Sequence, residues 1–227
     1  MGAVIGSAEF KEWYVNNKVQ KWVTDVEELA EIAKEEPQAV YSCYMKAISR
    51  RWQYVQRTVP DIDHLFLPLE DAISQKLIPA LVGRLVSNEE RRILALPVRL
   101  GGLGIEDPSQ TSTYEHEASL LITKNLTDII YRQEKDFSNY DKGEVKKSID
   151  FVKEQKNKRL NDELKELFNI VDAKTKRHLE LAQEKGSGAW LNARPTQAYG
   201  YTLNKQEFRD SISLRYGWKI PNTPSFC

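Results

Sequence analysis

From Glu9 to Lys34 the apolar residues Phe10, Trp13, Val15, Val19, Trp22, Val23, Val26, Leu29, Ile32 and Ala33 recur at spacings of three and four. That spacing lines one side of an α-helix, so the stretch predicts an amphipathic helix with a wide apolar face, ended by Glu36-Pro37. Such a face must be buried against other elements, and the chain supplies them in the same form. Pro37 stands where a second helix begins, with Val40, Tyr41, Tyr44, Met45, Ile48, Trp52 and Val55 as its stripe up to Val59-Pro60. A third starts at Asp61, read as an N-cap, and runs through Leu65, Leu67, Leu69, Ile73, Leu77, Ile78 and Leu81, with Pro68 and Pro79 breaking or kinking it. Ser87-Asn88-Glu89-Glu90 opens a short helix through Ile93 and Leu96, stopped by Pro97. Helices joined by such short turns form a bundle.

Leu96 to Ile105 departs from this pattern, because Gly101, Gly102 and Gly104 crowd between Leu and Ile and cannot be helical. An ordered apolar loop is expected, acting as a packing corner. It lacks the strand, helix and acidic partner that a dinucleotide or phosphate loop requires, so no cofactor is expected there. Beyond Asp107-Pro108 a helix is predicted from Tyr114 to Gln133, then a polar loop from Glu134 to Gly143. Glu144 to Lys185 reads as one or two long, charge-dense, largely exposed helices, closed by Gly186-Ser187-Gly188. Phe208, Ile212, Leu214, Tyr216 and Trp218 mark a final short helix before extended Ile220 to Pro224. The expected fold is all-α: an irregular multi-helix bundle with an ordered Gly-rich apolar loop, in two helical subdomains spanning residues 1–107 and 108–227.

Composition narrows the function classes. The 227 residues carry 33 Lys and Arg against 33 Asp and Glu, so affinity for a polyanion must come from a local patch. Cys43 and Cys227 make neither a disulfide framework nor a zinc site. The first seven residues are too short and uncharged for a signal peptide, and no apolar run approaches a bilayer's width. The expectation is a cytoplasmic or nuclear protein without a membrane partner. His64, His116 and His178 lie far apart, Asp61 and Asp63 read as helix-start residues, and Glu70 and Asp71 as positions on a helix surface. No acid, base, nucleophile or metal-ligand constellation emerges, so neither catalytic nor metal residues are assigned.

One feature stands above background. Between Glu36 and Asp61 there is no acidic residue, while Lys46, Arg50, Arg51 and Arg57 occur among Tyr41, Tyr44, Trp52 and Tyr54. Lys46, Arg50, Gln53 and Arg57 share one helical stripe, which could follow a phosphate backbone. Arg84, Arg91, Arg92 and Arg99 are candidates to extend it. The competing reading is a solvated face paired with the acidic first helix, and the Trp and Tyr stripe reads as core before it reads as a base-stacking platform.

Gly2-Ala3-Val4-Ile5-Gly6-Ser7 precedes a helix with Tyr14-Val15 and Trp22. Then come Pro37-Gln38-Ala39-Val40-Tyr41, Arg51-Trp52, Arg57-Thr58-Val59-Pro60 and Pro68-Leu69-Glu70. Ala95 to Ile105, Leu181 to Gly186, Trp190-Leu191, Leu214-Arg215-Tyr216-Gly217-Trp218 and Asn222-Thr223-Pro224-Ser225 complete the series. In order and spacing it resembles the region downstream of the catalytic palm in retroelement (retrotransposon) reverse transcriptases of animal genomes. The resemblance implies that the opening segment ends the palm and that the following helices are the thumb, which holds a template-primer duplex. It also implies RNA–DNA hybrid or other duplex nucleic acid as partner, with Lys46, Arg50, Arg51, Gln53, Arg57 and Arg99 as its contacts. The family's catalytic aspartates have no counterpart here, so no polymerase activity is carried over. The expected identity is a fragment or standalone remnant. The family often continues past Pro224 into a Cys and His zinc-binding segment, whereas this chain stops at Cys227. A helical protein-interaction module without nucleic-acid function is the alternative.

Overall fold

A computed structural model describes residues 4–133 and 142–220. Among the described residues the chain is helix and connecting turn, with no strand. Of the loop expected from Glu134 to Gly143, residues 134–141 lie outside them, and Lys142 and Gly143 are helical instead; the tail beyond Ile220 and residues 1–3 also lie outside.

Helix α1 spans Ala8–Ala33, and Ser7 caps it by accepting the Phe10 N–H at 3.3 Å. Val15, Val19, Trp22, Val26, Ala30 and Ala33 are buried. Phe10, Trp13 and Ile32, counted above with the apolar face, are exposed, because they lie off the arc that meets the body. Helix α2 spans Pro37–Lys46 with the proline in its first turn. The single second helix expected to reach Val59 is three pieces instead. Ala47 leaves helical geometry at φ −127°, a 3₁₀ turn covers Ile48–Arg50, and α3 covers Gln53–Thr58. No Gly or Pro causes the break; tertiary packing does. Trp52 packs against Trp22 and Tyr44, and α3 turns to α7, where buried Gln56 donates to Pro108 O at 2.9 Å.

The third predicted helix is likewise segmented. Asp61 takes a left-handed φ of 57° and is not an N-cap; a 3₁₀ turn begins at Asp63. Helix α4 covers Leu67–Ala72, a π-turn covers Ile73–Leu77, and α5 covers Ile78–Val82. The wide turn answers Pro79, which has no N–H to return and whose ring would press on the carbonyl four residues earlier. Gly83 ends α5 at φ 80°. Helix α6, Asn88–Ala95, starts in a capping box in which Glu90 N–H donates to Ser87 Oγ and Ser87 N–H to Glu90 Oε2.

The Gly-rich segment is an ordered, buried corner. Leu100, Leu103 and Ile105 join the core, and the Leu103 and Ile105 N–H groups both donate to Leu94 O at 3.2 Å. Gly102 sits so close to the chain that an added Cβ would fall 1.9 Å from Leu96 O. Its outward carbonyls are satisfied by three different helices: Tyr41 Oη donates to Leu103 O at 2.7 Å, Tyr216 Oη to Gly101 O at 3.0 Å, and Arg91 Nη1 to Ile105 O at 2.7 Å. Burial pushes the Tyr41 and Tyr216 hydroxyls well above the usual phenol range.

Helix α7 spans Pro108–Tyr131, six residues earlier than the predicted start at Tyr114, because Asp107 caps it through the Ser109 and Gln110 N–H groups and Pro108 occupies its first turn. Helix α8 spans Lys142–Ile170 and α9 Ala173–Ala182, capped by Asp172. The short α10, Ala189–Asn192, leads to α11, Lys205–Tyr216, which begins in an Asn204–Glu207 capping box. Helix α11 ties the chain together at helix C-termini, where carbonyls lack partners. Arg209 donates to Ala33 O, Lys34 O and Ala80 O, and Arg215 to Ala182 O, Val98 O and Ser187 O. One apolar cluster runs from Val15 to Ile105 and continues through Leu164, Leu167, Leu179, Leu191, Phe208, Ile212 and Tyr216.

Candidate nucleic-acid interface

The break at Ala47 divides the predicted basic stripe. Lys46, at the last turn of α2, and Arg50, in the 3₁₀ turn, are exposed, and among the described residues neither has a carboxylate partner. Four residues of mixed α and 3₁₀ backbone set them on the order of 7 Å apart along the chain axis, the rise of two nucleotides on one strand. Arg51 turns back to α1 and pairs with Asp25 at 2.5 Å, yet its side chain is 48% exposed. An exposed pair of this kind holds by at most about 1 kcal/mol, so a phosphate can compete for that guanidinium.

Gln53 is half-buried and adds little. Arg57 leaves the group: it pairs with Glu115 of α7 at 2.9 Å, and the same carboxyl group also receives Lys156 of α8 at 3.7 Å. Arg99 is remote, donating to Asn157 of α8 at 2.7 Å. The proposed extension is not built. Arg84 is bonded to Glu90 and stacked on Trp218, Arg91 is held by Glu70, and Arg92 pairs with Glu163 and Glu166. Glu70, read above as a surface position, is 13% exposed; burial raises its carboxyl, and the Arg91 hydrogen bonds pull it back. Tyr41, Tyr44 and Trp52 are core and shape the corner, whereas Tyr54 is exposed.

Lysines of α1 complete the face, and sequence reading passed over them because the helix as a whole is acidic. Its charges are unevenly placed: between Glu12 and Asp25 stand Lys18 and Lys21 and no acidic residue, while Asp25, Glu27, Glu28 and Glu31 crowd the C-terminal part. Lys21 stands one turn before Asp25, hence beside Arg51, and Lys18 lies on the same side with its ammonium over the Tyr14 ring. Charge counted over residues 13–24 alone would have shown it. The candidate face therefore comprises Lys46 and Arg50 of the α2–α3 corner, Arg51, which reaches Asp25 of α1, and Lys18 and Lys21 on the side of α1 that carries Asp25.

A second feature is a groove of about 890 Å³ between α7 and α8, with Leu121, Ile122, Phe151 and Val152 in its lining. Its rim mixes Arg57, Lys153, Lys158 and Arg159 with Glu117, Asp162 and Glu166, so it offers no single sign of charge. Among the described residues no group of three or more His, Cys, Asp or Glu side chains is set to hold a metal ion, and no helix is long and apolar enough to cross a membrane. No family model, curated protein or solved structure matches the chain.

Proposed function

We propose that the chain is a non-catalytic, thumb-type portion of a retroelement reverse transcriptase that holds duplex nucleic acid, an RNA–DNA hybrid foremost, by its phosphate backbone. The single observation that carries this reading is the pair Lys46 and Arg50, exposed and, among the described residues, free of carboxylate partners at a corner reinforced by Arg51 and Lys21. The ordered series of motifs described above supplies the family. Backbone contacts position a duplex without reading its sequence, which is what a face of Lys and Arg side chains can do.

The test is a titration of the purified chain against a labelled RNA–DNA hybrid at several salt concentrations. About three phosphate contacts give a slope of log K against log salt on the order of −3. Lys46→Glu with Arg50→Glu should abolish binding, whereas Arg57→Glu should leave it nearly unchanged. Immeasurable binding at low salt, or a Lys46/Arg50 variant that binds as well as the parent, refutes the reading.

The half-exposed Leu121 and Phe151 of the α7–α8 groove favour a second reading, a helical protein-interaction module. Leu121→Asp with Phe151→Asp should then remove partner binding while leaving hybrid affinity intact.

A further inference from the structure

Between Glu184 and Glu207 the chain has no acidic residue, while Lys185, Arg194 and Lys205 stand among Trp190, Tyr199 and Tyr201. The two tyrosines are 74% and 57% exposed, and their rings stack on each other with centroids 6.1 Å apart at 29°. Large rings left in water are ordinarily mobile, but these are fixed from below. Gly200, at φ 68°, allows the tight turn in which the Gly200 and Tyr201 N–H groups donate to Gln197 O and Thr196 O at 3.1 and 3.2 Å. The buried amide of Gln38 then grips the segment beyond: Nε2 donates to Tyr201 O at 3.0 Å and Oε1 accepts the Leu203 N–H at 2.7 Å. A side chain thus replaces a neighbouring strand and holds the loop in one conformation.

We propose that Tyr199 and Tyr201 form a stacking platform for single-stranded nucleic acid, whose bases lie on the ring faces while Arg194 meets the backbone. Aromatic faces accept any base, and the surrounding charge selects a polyanion. A cationic ligand would call for carboxylates beside the rings. The two that border the loop are already engaged, Glu35 with Lys205 at 2.9 Å and Glu207 with the Asn204 N–H at 2.8 Å; Glu36, two residues before Gln38, stays exposed. Arg194 is exposed and has no carboxylate partner among the described residues. Gln38 and Lys46 are eight residues apart on α2, about 12 Å, so a strand leaving a duplex at Lys46 can reach the rings. The platform goes beyond the duplex reading and binds a free strand without it.

The experiment measures fluorescence anisotropy of a labelled 12-residue oligothymidylate and of a blunt RNA–DNA hybrid with the full chain at low salt. Oligothymidylate should bind, and Tyr199→Ala with Tyr201→Ala should weaken it at least about tenfold, the loss of one or two base stacks, while hybrid affinity changes less than about twofold. Replacing both tyrosines by Trp should keep or tighten single-strand binding, which a purely structural role for the rings would not predict. Lys46→Glu with Arg50→Glu should strike the hybrid and spare the oligothymidylate, separating this inference from the duplex reading. The platform is overturned if oligothymidylate does not bind, if the alanine pair binds it as the parent does, if that pair weakens both ligands equally, or if a polyproline peptide binds through the tyrosines and the oligonucleotide does not.

Discussion

Replacing Arg91 by Met tests how far the core depends on one buried ion pair. Arg91 Nε and Nη2 donate to the two Glu70 carboxylate oxygens at 2.6 and 2.7 Å, and Nη1 donates to Ile105 O at 2.7 Å. With the two side chains 12% and 13% exposed, water cannot take over these bonds. Methionine keeps much of the aliphatic stem but leaves a buried carboxylate and a loop carbonyl unpaired. Breaking such a pair from one side costs about 3–5 kcal/mol. At this chain length one kcal/mol moves Tm by about 2–4 °C, so Arg91→Met should melt roughly 6–20 °C lower. The deficit has a pH signature. Burial already raises the Glu70 carboxyl, and without Arg91 it rises further. The loss attaches to the ionised form: it is complete above the folded pKa and shrinks as pH falls through that value, where neutral Glu70 needs no counter-charge. Adding Glu70→Leu removes the stranded charge and should restore most of the stability. Urea denaturation followed by tryptophan fluorescence, with thermal melts by circular dichroism, measures all three variants. A cost below about 1 kcal/mol for Arg91→Met, or a double variant no more stable than the single one, would refute the reasoning.

Gly102→Ala should cost about 3 kcal/mol or more by urea denaturation, because its methyl group would meet backbone oxygens of Leu96 and Ile93 at 1.9 and 2.6 Å and neither can rotate away. Gly186→Ala, at φ +89° with nothing within 4 Å, should cost only about 1–2 kcal/mol. Asp172 accepts the backbone N–H of Thr175, which holds its carboxyl below the ordinary value of 3.8. Its contribution is therefore complete above pH 3.8 and lost as pH falls through the lower, folded value; Asp172→Asn should keep the cap at neutral pH and flatten the acid limb of a stability–pH curve.

Legibility followed the range of the interactions involved. The helix start at Ser87–Glu90, which rests on a residue and its partner three positions away, was readable, and so was the all-α class, since it needs only apolar spacing. The corner at Leu96–Ile105 was expected to be ordered and apolar, and it is. Asp61 failed as a cap because its backbone is left-handed, which no local pattern announces. Glu70 looked like surface because its partner lies 21 residues away.

The candidate face shows the same division. The absence of acidic residues between Glu36 and Asp61 was evident without coordinates, as were Lys46 and Arg50. The helix break was not, since Ala47 departs from helical geometry with neither Gly nor Pro nearby, while Trp52 packs between Trp22 and Tyr44 and α3 turns toward α7. That break sends Arg57 to Glu115 and brings Arg51 to Asp25, beside Lys21. By itself the sequence determined that the chain is helical and which charges are available, because propensity and apolar period act within a few residues, but not where the second and third helices break. Which of those charges meet on one surface was decided only by tertiary structure, because burial of Trp22, Trp52 and Phe66 outweighs the small energies that hold exposed cations to any one neighbour.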